Sequence, residues 1–338
     1  AAPAARTLYW VGGTGNWSDT ARWSTSSGGA SGAAIPTSLD SVTFDSASNA
    51  TAYTATIDAG VTIARCASFT MAGPASGNVT FAGTVGIAFH GNVSFAATGI
   101  TRTYTGAMSW AGNSSYTFTT NGLTLGSACT VIGTGSTWTL GSALNIGTSN
   151  LTVTYGTFST SGSNYAVTAG TLASNNSNVR SISLNGSTIA LSQITATVSF
   201  ATSTNFTFFA GTSTLTAASS PVFNGGGQTF YNVSFTSTAA ATITITGANT
   251  FTNLTFTGRT TAGIAAVTFS ANQTISGTLT VPAGTASAFR TFLASDTIGT
   301  QRTLTVNALA AGATDVDFRD IAIAGAAAPI SGTRFGDA

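Results

Sequence analysis

Three observations predict an all-β chain wound as an elongated parallel β-solenoid. Short segments alternate apolar and hydroxyl residues. The segments recur at a near-constant offset. Lys and Glu are absent from all 338 residues. Lys and Glu are strong helix formers that normally populate exposed helix faces. Thr, Ser, Gly, Ala and Asn stand in their place; Thr favours strands, and Gly, Asn and Ser favour turns. Charged residues make up 6% of the chain, against roughly 25% in an ordinary soluble domain. Such a composition also suits disorder, but disordered chains lack aromatic and β-branched residues, and here 21 Phe recur in pattern.

The local unit is apolar–Ser/Thr–apolar. It reads Val79-Thr80-Phe81, Val93-Ser94-Phe95, Leu123-Thr124-Leu125, Leu151-Thr152-Val153, Ile182-Ser183-Leu184 and Val267-Thr268-Phe269. A period of two marks a strand with one buried face, and Gly, Asn and Ser in the gaps supply turns.

The units repeat. Thr229-Phe230-Tyr231-Asn232-Val233-Ser234-Phe235 is answered by Thr250-Phe251-Thr252-Asn253-Leu254-Thr255-Phe256 at an offset of 250 − 229 = 21. Leu279-Thr280-Val281 and Leu304-Thr305-Val306 follow at steps of 25, from 279 − 254 and 304 − 279. Upstream, Leu123 and Leu144 are again 21 apart (144 − 123). Periods of roughly 20 to 30 residues built from short strands signal a solenoid, because one coil cannot bury its apolar face until a neighbour stacks on it. Asn78, Asn92, Asn232 and Asn253 each precede an alternating segment and are expected to form a turn ladder of side-chain amides. Tandem β-sandwiches are the alternative fold; the steady offset favours the solenoid.

The chain divides into three expected parts. Residues 1–58 form an N-terminal capping segment rich in Trp. Residues 59–310 form coils of 21–25 residues. Residues 311–338 are a second cap or the lead-in to a further module. An open solenoid end exposes strand edges that invite aggregation, so Trp10, Trp17 and Trp23 are expected to fold over one. Cys66 and Cys129 lie 63 positions apart (129 − 66). At about 21 residues per coil that is three rungs, on the order of 14 Å, beyond the disulfide limit of about 7 Å.

Chemistry is constrained by where the acids fall. No Asp or Glu occurs from Ala59 to Ser295, whereas glycan cleavage needs paired carboxylates and oxygen-ligated metals need several. The sole histidine, His90, has no acidic neighbour in sequence to orient it, and no Ser/His/Asp set can be assembled inside the coils. Gly12-Gly13-Thr14-Gly15 lacks the Lys and the following helix of a phosphate loop and reads as a turn. Asp19, Asp40 and Asp45 allow a calcium site or, more simply, cap turns. The chain is therefore expected to be no enzyme, with no catalytic, cofactor or metal residue and no cofactor.

Tyr9, Trp10, Trp17 and Trp23 are the candidate partner contacts, since apolar ring faces stack on sugars; packing within the cap competes with that role. Thr242-Ile243-Thr244-Ile245-Thr246 and Thr152-Val153-Thr154 resemble the Thr-x-Thr strands of ice-binding solenoids, but the motif is sporadic. The net charge of +1 and scattered Arg offer no basic stripe for nucleic acid. No apolar run reaches the roughly 18 residues of a membrane helix, and the Gly-broken strands do not suit a transmembrane barrel.

The opening Tyr9-Trp10-Val11-Gly12-Gly13-Thr14-Gly15-Asn16-Trp17-Ser18, followed by Trp23-Ser24 and Thr/Ser/Gly-rich repeats, resembles large β-helical structural proteins of tailed bacteriophages. Similar openings occur in bacterial adhesin-like surface proteins. The resemblance implies a virion component of tail fibre, tail spike or decoration type. It implies a homotrimer on the particle exterior that contacts other virion proteins and a host surface glycan or protein. Many phage spikes carry acidic hydrolase residues on the solenoid. Their absence here favours a shaft or attachment role over a glycan depolymerase. The alternative is a bacterial surface adhesin or exported passenger domain, with a signal peptide encoded upstream of Ala1.

Overall fold

A computed structural model of the chain describes residues 4–193, 195–218, 221–238, 242–281 and 288–337. It is a parallel β-solenoid with a single short 3₁₀ turn, Thr20–Arg22, as the helical content of the described residues. Two compact units are present: Ala1–Thr168 with Val179–Ser181, and Ala169–Asn178 with Ile182–Ala338.

In the first unit the early coils visit three sheets, and the second of these ends at Ile100–Arg102. Thr7–Trp10, Ser41–Phe44, Phe69–Met71, Val93–Phe95, Ser115–Thr119, Thr137–Leu140 and Gly156–Ser159 stack in parallel on one side. Gly15–Asn16, Tyr53–Ile57, Val79–Gly83 and Ile100–Arg102 stack on the second. Ala64–Cys66, Ile87–Phe89, Met108–Trp110, Cys129–Val131 and Leu151–Val153 stack on the third. Inward residues of the triplets are buried: Val79, Phe81, Phe95, Trp110, Phe118 and Trp138 are all 0% exposed. Fully burying one such side chain contributes about 1.5–3 kcal/mol or more. Tight turns need glycine where coils touch. At Gly83, φ is +117° and an added Cβ would lie 2.2 Å from the Ile57 carbonyl of the adjacent coil.

In the second unit two sheets carry most of the stacking. One holds Val222–Asn224, Thr242–Thr246, Gly263–Phe269, Phe289–Ser295 and Val316–Arg319. The other holds Thr188–Leu191, Thr214–Ala217, Thr229–Phe235, Thr250–Phe256, Gln273–Thr280, Arg302–Leu309 and Ile321–Ala324. Thr229 and Thr250 pair in register across to Phe235 and Phe256, the 21-residue offset read from the sequence. Phe235 and Phe256 stack with centroids 5.4 Å apart and planes 8° from parallel.

Parallel stacking is not confined to residues 59–310. Thr7–Trp10 pairs in parallel with Ser41–Phe44, so the first coils lie within the expected capping segment. At the other end Ile321–Ala324 pairs with Arg302–Leu309; Ala338 lies outside the described residues. One expected alignment also differs. Leu279 pairs with Leu309, and Leu304 lies opposite Gln273. This coil advances 30–31 residues (309 − 279, 304 − 273) where 25 was expected, and the register slips by one between Ile275 and Thr278, a local irregularity of the bulge kind. Cys66 and Cys129 sit in one sheet with the strands of Phe89 and Trp110 between them, three rungs apart. Both are free and fully buried.

Candidate functional site

The N-terminal candidates converge. Tyr9 and Trp10 pair antiparallel with Ser24 and Trp23, so Trp23–Ser24 lies along the outer edge of the first coil. That strand covers an edge which would otherwise be open. Trp10 lies edge-on to Trp23 at 5.2 Å and stacks on Phe44 at 5.3 Å, and Trp17 lies edge-on to Trp23 at 4.8 Å. Both buried indole N–H groups are satisfied: Trp10 Nε1 donates to the Gly13 carbonyl and Trp23 Nε1 to the Trp17 carbonyl, each at 2.8 Å. Trp10, Trp17 and Trp23 are at most 1% exposed and offer no free ring face to a sugar. Tyr9 alone is half-buried. Packing, not stacking on a partner, is what these indoles do.

The aspartates near them hold turns. Asp19 accepts from the Ala21 N–H, and Asp45 accepts from the Ala47 N–H and the Ser27 hydroxyl. Asp58 accepts from Ser18 Oγ and the Gly60 N–H. Asp40 is buried and meets Arg6 in a two-pronged ion pair at 2.8 Å, with the Thr37 hydroxyl and N–H as further donors. The Arg6 bond, then the Thr37 bonds, outweigh desolvation and hold its carboxyl at about 2. Among the described residues no three His, Cys, Asp or Glu side chains gather as metal ligands.

The four asparagines do not form one turn ladder. Asn78 and Asn92 precede strands of different sheets. Asn78 Nδ2 donates to Thr101 Oγ1, and Asn92 Oδ1 accepts from the Thr117 N–H, both at 2.9 Å. Asn232 and Asn253 do stack, but inside strands and not at turns.

His90 lies on a groove of about 450 Å³ formed with Ser38, Leu39, Ala67, Asn113 and Tyr116. Its Nε2 is buried without a hydrogen-bond partner. Burial, then the Arg65 charge, lower its pKa. The groove offers an imidazole, an amide and hydroxyls but no carboxylate, so it can hydrogen-bond a polar ligand. Its residues come from several coils, and no contiguous motif announces it.

Acids and arginines meet again in the second unit. Asp315 is 0% exposed and takes both Arg334, at 2.6 Å, and Arg290, at 3.3 Å. Arg290 also pairs with Asp317, and Asp296 with Arg302. These carboxylates are occupied by guanidinium partners and staple the chain to itself. No protein-family model matches the chain, and neither a curated protein nor a solved structure does.

Proposed function

We propose that the chain is a non-enzymatic structural component of a tailed bacteriophage virion, a fibre- or spike-like shaft or attachment piece on the particle exterior. In this reading it works as a homotrimer beside other virion proteins and meets a host surface glycan or protein. One observation carries the reading. The carboxylates are excluded from residues 59–295, and those described outside that span, from Asp19 to Asp320, are bound up in turns and ion pairs. Acid-free, hydroxyl-rich coils with a covered first edge support a shaft role, and the imidazole-and-amide groove supports contact with a neutral glycan.

Immunogold labelling of phage particles with an antibody to this chain is the direct test, with light scattering giving the trimer. Label on bacterial surfaces in uninfected cells, and none on particles, would transfer the chain to the adhesin class. New reducing or unsaturated ends in host polysaccharide incubated with the pure chain would overturn the non-enzyme reading.

A further inference from the structure

In the second unit coil length varies from step to step, and one shortening leaves a strand without a partner. Thr188 pairs with Thr214, an advance of 214 − 188 = 26 residues, while Thr214 pairs with Asn232, an advance of only 232 − 214 = 18. The longer coil carries an extra strand, Phe206–Phe209, and the shorter one has no counterpart to it. Phe206–Phe209 therefore ends its sheet. One side of the strand is held, with the Leu184 N–H donating to the Phe209 carbonyl at 2.9 Å. Backbone direction alternates along a strand, so the N–H and C=O of Phe208 point to the open side.

The inward rings show the missing cover. Phe206 and Phe208 are only half-buried, although they pack on Phe200 and Phe230 at 4.9 and 5.0 Å. Inward rings with a coil on both sides, such as Phe95 and Phe118, are fully buried. Phe209 is 58% exposed. A groove of about 310 Å³ runs beside the strand, with Phe208, Phe209, Thr229, Phe230, Tyr231 and Thr252 among its walls. The strand itself, Phe206-Thr207-Phe208-Phe209, carries no charged residue and no proline, two of the devices by which exposed edges are ordinarily blunted.

We propose that the Phe206–Phe209 edge accepts an added β-strand: an extended, uncharged polypeptide segment with bulky apolar residues at alternate positions. Strand addition pairs main chain with main chain and seats alternate side chains in pockets. The vacant Phe208 groups select a peptide backbone, and the half-covered Phe206 and Phe208 rings select apolar side chains. A charged segment would lose its hydration in a groove with no opposite charge to meet it. A second copy docking edge to edge is a poor occupant. Four residues span about 13 Å, and such a contact falls far short of the roughly 800 Å² per partner of a standard interface. The inference does not depend on the virion reading.

The probe is fluorescein-labelled acetyl-Thr-Leu-Thr-Val-Thr-amide, titrated into the full chain by fluorescence anisotropy. Saturable binding is expected, weakened at least tenfold by Phe208→Pro, which deletes the outward N–H, and by Phe209→Lys at an already exposed position. Ile298→Ser, at a remote exposed site, should leave it unchanged. A peptide N-methylated at alternate residues should fail to bind. Equal binding of the methylated peptide, indifference to Phe209→Lys, or no saturable binding at all would overturn the proposal.

Discussion

Asn253 donates its Nδ2 to Oδ1 of Asn232 on the adjacent coil, 2.8 Å away. The chain of bonds extends both ways. Asn232 Nδ2 donates to Thr214 Oγ1 at 3.1 Å, and Asn253 Oδ1 accepts the Thr278 N–H at 3.0 Å. Four successive coils are thus tied through two amides, and the Thr278 bond falls where the register shifts. Asn253→Ala would strand the Thr278 N–H and is expected to cost about 1–3 kcal/mol in denaturant unfolding. A double-mutant cycle with Asn232→Ala should return a coupling of about 0.5–1.5 kcal/mol; strict additivity would dismiss the ladder.

Trp23 joins the covering strand to the core through Trp10, Trp17 and Phe44. Trp23→Ala removes a fully buried side chain and should destabilise the first unit by about 3–5 kcal/mol. It also loosens the strand over the outer edge, so concentration-dependent light scattering should rise well below the unfolding temperature.

Asp40 gives an acid limit. Its folded pKa, about 2, lies below the ordinary carboxylate value of 3.8. The unfolded chain therefore binds the proton more readily, and stability falls as pH drops from about 4 through 2. The shift is worth about 2 kcal/mol at neutral pH, the side chain being 2% exposed. Asp40→Asn should lose that much at pH 7. Its deficit against the parent chain should shrink as both approach pH 2.

His90 sets a second, milder window. Its folded pKa is lowered, so the unfolded state takes up the proton first, and the stability it contributes above about 6.5 is lost as pH falls below that value. As the sole histidine, it is the one side chain whose ordinary pKa falls between 5 and 8. The melting temperature should drop between pH 7 and pH 5 in the parent chain and stay flat over that interval in His90→Asn.

Arginines offer trypsin little purchase. Arg180 is 2% and Arg259 3% exposed, and the Arg259 guanidinium donates to the carbonyls of Thr261, Ala262 and Ile264. The native chain should resist cleavage at Arg102, Arg180 and Arg259 on mass-spectrometric mapping. Rapid native cutting there would mean that the coils open locally.

Composition and period-two triplets by themselves determine that this chain forms strands, because a Thr- and Phe-rich alternation without Lys or Glu has no other way to bury one face. The 21-residue repeat from Thr229 to Thr250 further determines parallel stacking, because equal spacing lets like residues lie over like. The acid-free span is equally a property of the sequence, and it excludes a carboxylate pair within residues 59–295 before any geometry is known.

Tertiary structure decided what spacing cannot carry. A longer coil moved Leu304 off Leu279 and onto a level with Gln273, since the length between two strands can change without disturbing the alternation within either. Sheet membership separated Asn78 from Asn92, because identical local motifs can lie on different sides of one coil. Arg6 and Asp40 met across 34 positions, a separation set by coil length and not by any motif. The open edge at Phe206–Phe209 exists because the next coil is eight residues shorter (26 − 18). A strand's own sequence states what it can pair with, and only its neighbours decide whether the pairing is made.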